Sequence, residues 1–349
     1  MDEKQLLKNL CTQHAPSGRE HWIHPLIKEA FEPYCVVVEG KLNNLYAIKK
    51  TNKVETNKSI MLMAHSDEVF LMITEVLSNG FVKFIGNGID PKTLVSQEVL
   101  IHGKRKIDGI IGIKPPHLMS DVEKEKSVTI ESLLIDTGYS TEKLQEIVNV
   151  GDYITLKRDF YELLNNNVTC KAIDDRAGIV AMYVCCKELE KISHDLDVYF
   201  VSSCQEEVGH RGAKMASYDL KPTIAIAIDV TFDNGPMGDI SRENKLGGGP
   251  VICIGPNIHS KFRTKLMKIA DEYSIPYNVE VEPGNTGTDA WDIQVTRGGI
   301  PTLLISIPIK YMHTSVEVVN MDDIINTGRI IAKFIEKVSN EDVEGLLCF

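Results

Sequence analysis

The stretch Ser203-Cys204-Gln205-Glu206-Glu207-Val208-Gly209, followed by Asp229 at the end of Ile226-Ala227-Ile228, decides how the chain is read. Ahead of it, Val198-Tyr199-Phe200-Val201 is an apolar run of the kind buried in a mostly parallel sheet. Open α/β sheets bind their ligands beyond the carboxyl ends of the strands, which is where these two carboxylates fall. Side chains alternate along extended backbone, so Glu206 and Glu207 face different neighbours from one position. One carboxylate can then hold a metal while the other handles a proton. By itself a Glu-Glu pair reads as a solvated acidic loop; what stands at the other strand ends overrides that.

Working outward, the same pattern recurs. Ser59-Ile60-Met61-Leu62-Met63-Ala64 is an apolar strand that delivers His65-Ser66-Asp67-Glu68. Asp174-Asp175-Arg176 precedes a helical pattern running from Ala177 to Ile192, and Pro301 to Ile309 is a strand ending near His313. There the expectation is that Asp175 favours the helix start electrostatically and that Arg176 is solvated. Residues 2–13 read as a first helix, and Ser17-Gly18-Arg19-Glu20 has the spacing of a capping box that opens a second, through about Phe31. Between about 69 and 166 the texture changes to short β pieces: the hairpin around Ser78-Asn79-Gly80, then Val99 to Gly103, Ile107 to Ile113, Thr129 to Asp136 and Asp152 to Leu156. The fold class is therefore α/β, with a mostly parallel-sheet domain formed by residues 1–68 and 167–349. A small β domain, 69–166, is inserted into it.

Composition narrows the function. With 349 residues, 43% of them hydrophobic, the chain can bury one large core and a second smaller one. A net charge of -11 argues against nucleic acid, which calls for a basic face. No apolar run approaches the ~20 residues needed to span a bilayer, and the start reads as an amphipathic helix rather than a signal peptide. The eight cysteines include no Cys-x-x-Cys pair and read as buried thiols of a cytoplasmic protein.

The polar residues at the strand ends form a chemical set: His65, Asp67, Asp174, Glu206, Glu207, Asp229 and His313. Imidazole nitrogens and carboxylate oxygens suit zinc, manganese or cobalt. Two metals ~3.5–4 Å apart need one bridging carboxylate and further ligands on each. Asp174 as bridge, His65 with Asp229 on one side and Glu207 with His313 on the other satisfy that count. Asp67 is placed to fix the His65 tautomer. Glu206 remains as general base, taking a proton from a bridging water and passing it to the leaving amine.

These residues carry a resemblance. His65-Ser66-Asp67-Glu68-Val69, Ala172-Ile173-Asp174-Asp175-Arg176-Ala177-Gly178, Gln205-Glu206-Glu207-Val208-Gly209-His210-Arg211-Gly212-Ala213 and Tyr311-Met312-His313-Thr314-Ser315-Val316-Glu317-Val318-Val319 resemble successive signatures of one family. It is the family of co-catalytic di-metal aminopeptidases that includes the glutamyl aminopeptidases and the tetrahedral (TET) aminopeptidases. Gly112 to Leu118 and Gly287-Thr288-Asp289-Ala290 are similar to it as well, and the likeness runs from about His14 to Phe334. The resemblance implies an α/β peptidase domain with an inserted β-barrel-like domain. It implies two zinc or cobalt ions on His65, Asp174, Glu207, Asp229 and His313, with Glu206 as base. It also implies release of N-terminal residues from short peptides, and homo-oligomers, up to dodecamers, with the inserted domain at the contacts. The substrate's α-amine then needs an acceptor, for which Glu206, Glu207 and Asp289 are candidates; Lys310 and Arg211 are candidates for an acidic substrate side chain. Phe70 and Trp291 depart from the family's small residues and bear on the pocket. A metal-dependent amidohydrolase or deacylase of small acylated substrates is the competing function.

Overall fold

A computed structural model describes residues 1–51, 57–238 and 243–346. Four strands that neighbour one another in parallel form its centre: Asp197–Ser203, Ser59–His65, Ile224–Phe232 and Thr302–Lys310. Their registers pair Ser203 with His65, Ala227 with Met63 and Asp229 with Ser306, so the strands end together at one edge. Nearly every residue of these strands is buried, which is why they read as continuous apolar runs rather than alternating ones. Among the described residues the sheet extends to eleven strands. Leu45–Lys49 and Val36–Glu39 pair antiparallel on one flank, and Glu317–Asn320, Asn167–Cys170 and Tyr161–Glu162 on the other. Val251–Ile254 and Asn278–Val281 attach beside Thr302–Lys310.

Helices cover the sheet. Ile173–Leu189 packs on the strand Ser59–His65 and against Met321–Lys337, whose cap is the Asn320 side chain accepting from the Asp322 amide. The helix Glu3–Thr12 packs along Ile173–Leu189. No helix among the described residues is long and apolar enough to cross a membrane.

Between Phe70 and Leu156 the chain closes a six-stranded antiparallel barrel: Phe70–Val76, Val82–Asn87, Leu133–Asp136, Lys106–Ile113, Glu98–His102 and Tyr153–Leu156, in that order around the ring. Its strands alternate, most visibly at Lys106–Ile113, where Ile107, Gly109 and Ile111 face in. The interior is a separate apolar core of Leu71, Ile73, Val82, Phe84, Val99, Ile101, Ile111, Leu133, Ile135 and Ile154.

Two local expectations fail. The stretch Thr129 to Asp136 is strand only from Leu133; Ile130–Ser132 is a 3-10 turn because the Ser132 hydroxyl bonds both the Thr129 amide and its carbonyl. Ser17 and Glu20 do not form a capping box either. A 3-10 turn spans Glu20–Trp22, the helix begins at His24, and both side chains are spent on the site described next. All seven cysteines among the described residues are free thiols, with Cys35 and Cys186 Sγ 3.3 Å apart; Cys348 lies outside the described residues.

Candidate metal centre and active site

The parallel strand ends converge on a cavity of about 490 Å³. Asp174, Glu206, Glu207, Asp229 and His313 line it, with His65 buried against Asp174 beneath. His65 Nε2 lies 2.9 Å from Oδ1 of Asp174, and His313 Nε2 lies 3.2 Å from its Oδ2 and 3.4 Å from Glu207 Oε2. The two oxygens of one carboxylate therefore serve two different imidazoles. Donor atoms of His65, Asp174 and Asp229 all fall within 4.8 Å of one another, and so do those of Asp174, Glu207 and His313.

Each imidazole is held from behind, leaving Nε2 aimed inward. His65 Nδ1 is 3.2 Å from the Asp67 carbonyl and 3.5 Å from the Asp67 carboxylate. His313 Nδ1 donates to the Gly88 carbonyl at 2.7 Å, a group that follows the second barrel strand. Such outer hydrogen bonds fix the tautomer of a metal-binding histidine.

The Asp67 carboxylate mainly ties down the loop that carries the glutamates. It accepts from the Glu206 amide at 3.1 Å, the Glu207 amide at 3.3 Å and the Ser17 hydroxyl at 2.5 Å. Glu20 supports the same loop by accepting from the amides of Gly18 and Gln205, and from Asn43. Burial, together with the nearby Asp67 charge, raises Glu20 to about 7. Glu317 is the matching buttress opposite, taking the amides of Ile173, Asp174 and His313. Burial and then the Asp174 charge lift it to about 8. Sequence reasoning missed Ser17, Glu20 and Glu317 as parts of the site. Glu317, four residues after His313 in the same motif, was the one with a visible signal.

Arg176 is not solvated. It is completely buried, donating to the carbonyls of Leu10 and Gln13 and to Glu68, which Lys171 also meets at 2.5 Å. Asp175 is equally buried and takes the Gly178 amide at 3.0 Å, so it caps the helix as an interior group; a cis peptide joins it to Asp174. Asp289 is 3% exposed and stands behind the cavity wall, accepting the Ser203 hydroxyl at 2.6 Å. Its other oxygen has no hydrogen-bond partner among the described residues. Phe70 packs on Tyr153, and none of Phe70, Trp291, Arg211 or Lys310 lines the cavity. Lys310 instead faces Asp233 at 3.5 Å.

Electrostatics test whether the cluster fits divalent cations. Among the described residues, no lysine or arginine pairs with Asp174, Glu207 or Asp229. Burial pushes Glu207 and Asp229 well up, and the neighbouring carboxylates, Asp174 for Glu207 and Asp175 for Asp229, push them further. Burial works against a charged His313, yet Asp174 and Glu207 lift it to about 10. Asp174 is held down by its hydrogen bonds from His313 and His65 despite its own burial. This excess of buried negative charge can be balanced by protons or by cations, and the nitrogen-oxygen donors suit a borderline divalent ion. The group fits.

An α/β sheet whose strand ends gather such donors around an open cavity has the make-up of a metal-dependent enzyme. Comparison with known proteins narrows the class. The model of the M42 glutamyl aminopeptidase family matches residues 43–330. A lysyl aminopeptidase of Pyrococcus furiosus is 32% identical over 98% of this chain and 99% of its own length. Aminopeptidase APDkam598 from the archaeon Desulfurococcus kamchatkensis superposes with a TM-score of 0.89 at 35% identity, covering 99% of this chain and 97% of that one. The Pyrococcus horikoshii TET1 peptidase, which can assemble into a tetrahedron or a large octahedral shell, has a TM-score of 0.83 at 30% identity over 97% and 100% of the two chains.

The chain belongs to the M42 glutamyl aminopeptidase family. It is a metal-dependent aminopeptidase, hydrolysing peptides at their N-terminal residue.

Proposed function

We propose that the enzyme works with two divalent ions, zinc or cobalt, shared by Asp174, with His65 and Asp229 holding one and Glu207 and His313 the other. The observation that carries this is the pair of imidazoles facing opposite oxygens of one carboxylate. Bound there, the ions supply Lewis acidity to the scissile carbonyl and make water a nucleophile near neutral pH. Glu206 is the general base: its Oε2 faces the cluster, 4.0 Å from His65 Nε2, and it lines the cavity from which substrate enters. It takes the proton of the attacking water and hands it to the departing amine. Asp67 keeps Glu206 in place through its amide and backs His65. The α-amine of the substrate is received by Glu206 or Glu207, which line the cavity, while Asp289 stays buried behind its wall.

The substrates are short peptides, not nucleic acid or membrane, in keeping with a net charge of -11. The protein is cytoplasmic and assembles into homo-oligomers, up to dodecamers as a relative with a TM-score of 0.83 does. Residues 1–68 and 167–349 form the catalytic domain, and 69–166 form an inserted domain at the subunit contacts.

The deciding assay sets aminoacyl chromogenic amides against the same amides acylated at the amine. Purified protein is measured before and after chelation, with Zn, Co and Mn returned one at a time and Glu206→Gln as control. Chelator-sensitive cleavage of the free-amine series, lost in a variant that still binds metal, is the expected result. Turnover of the acylated series alone would replace the aminopeptidase reading with a deacylase. Activity surviving both chelation and the substitution would overturn the site assignment.

A further inference from the structure

The two oxygens of Glu206 have different neighbours. Oε2 is turned to the cluster, whereas Oε1 lies 3.0 Å from Nε2 of His210. The far nitrogen of that ring, Nδ1, lies 3.2 Å from Oδ2 of Asp292, and the other Asp292 oxygen faces Lys214 Nζ at 3.2 Å. An ionised carboxylate only accepts hydrogen bonds, so a ring set between two of them donates from both nitrogens and carries a positive charge. In accord with this, the hydrogen bond to Glu206 lifts His210 above its ordinary value, against the effect of burial.

The backbone builds this contact in. His210 caps the helix Arg211–Leu220 in a left-handed conformation (φ 54°, ψ 32°), and its amide donates to the Glu206 carbonyl at 3.1 Å. Glu206 and the ring therefore belong to one turn. Asp292 comes from the helix Asp289–Ile293, which packs against Arg211–Leu220, and Lys214 fixes it from one turn further along that helix. A ring held at both nitrogens cannot swing away from Glu206. His210 itself lines the cavity.

We propose that His210, anchored by Asp292, is a positioning residue: it holds the outer oxygen of Glu206 so that the inner one stays turned toward the cluster. This rests on Glu206 being the proton carrier. Without the ring, the Glu206 side chain gains rotamers that point away from the reacting water. Substrate binding by the rest of the cavity is untouched, so the loss falls on turnover.

The test is steady-state kinetics on an aminoacyl amide, with metal content and thermal midpoint measured for every variant. His210→Leu is expected to lower kcat about 10- to 100-fold at unchanged KM and metal content, as losses of outer hydrogen bonds at such sites do. His210→Gln, whose amide can donate from nearly the place of Nε2, recovers most of the loss, and Asp292→Asn falls between. In a Glu206→Gln background, read on the residual rate at high enzyme concentration, His210→Leu costs nothing more, because the two act as a unit. Wild-type kcat in His210→Leu, with Glu206→Gln strongly impaired, would sink this inference and leave the Glu206 assignment standing. An equal loss in both backgrounds would also sink it, by showing that the ring acts elsewhere. Activity retained by Glu206→Gln would remove the assignment itself. If His210→Leu fails to fold, Asp292→Asn carries the same comparison: a kcat loss without a change in KM supports the proposal, and wild-type kcat refutes it.

Discussion

Glu68 is expected to contribute about 3 kcal/mol of stability that disappears in acid. Its carboxylate is buried with Oε1 on the Ala15 amide and Arg176, and Oε2 on Lys171, tying the first helix and its loop to the residue after Asp67. Burial alone would raise its pKa, but Lys171 and Arg176 outweigh that and hold it at about 2 against an ordinary 4.5. At 1.36 kcal/mol per pH unit, that depression corresponds to about 3 kcal/mol. Breaking a buried ion pair by removing one partner costs about 3–5 kcal/mol on independent grounds, so the two routes agree. Because the folded-state pKa is depressed, the contribution is complete above pH 4.5 and is lost as pH falls toward 2. Urea unfolding of wild type and Glu68→Gln, at one protein concentration and at several pH values, reads it directly. The gap is expected to be about 3 kcal/mol at pH 7 and to narrow below pH 4.5. Equal stability at pH 7, or a gap that stays constant down to pH 3, would refute the reasoning.

Three further outcomes follow from the geometry. Gly178→Ala puts a Cβ 2.5–2.6 Å from both Asp175 oxygens and 2.9 Å from Ala64, so it should cost about 1–3 kcal/mol by denaturant titration and reduce activity through Asp174. Gly88 has φ +75° and would set a Cβ 3.0 Å from Val69 and 3.4 Å from His313 Nδ1. Its alanine variant should therefore weaken metal binding about 10- to 100-fold, measured by competition with a chromogenic chelator, while the barrel stays folded by circular dichroism. Chelation should lower the thermal midpoint as well as activity, since an ion bound only by the folded state stabilises it by about 4 kcal/mol at a thousand times its Kd. An unchanged midpoint with activity lost would mean the cluster is held together without metal.

The primary ligand candidates were legible because a buried parallel strand is an unbroken apolar run, and the polar residue that ends it stands out. His65, Glu206, Glu207 and Asp229 were found that way, and the structure brings donors of His65, Asp229 and Glu207 within 4.8 Å of Asp174. What holds them was not legible. Ser17 and Glu20 matched a local capping box, yet their partners are Asp67 and Gln205, 50 and 185 residues away. Arg176 read as solvated because nothing nearby in sequence announces the Leu10 and Gln13 carbonyls that receive it. Gly88 matters through its carbonyl, and a backbone group has no signature in a side-chain pattern.

The asymmetry has a physical basis. Ligands must be particular residue types at the ends of particular strands, so chemistry and periodicity both mark them. Their supports need only a donor or acceptor at the right place, and many residue types or a bare amide can supply one. Glu206 shows both kinds of contact at one side chain: its position is read from its strand, while its orientation depends on a ring four residues on and on a carboxylate from another helix. Catalytic differences among relatives with the same ligand set should therefore lie in such supports. Exchanging His210 and Asp292 together, with every ligand retained, should move kcat more than KM.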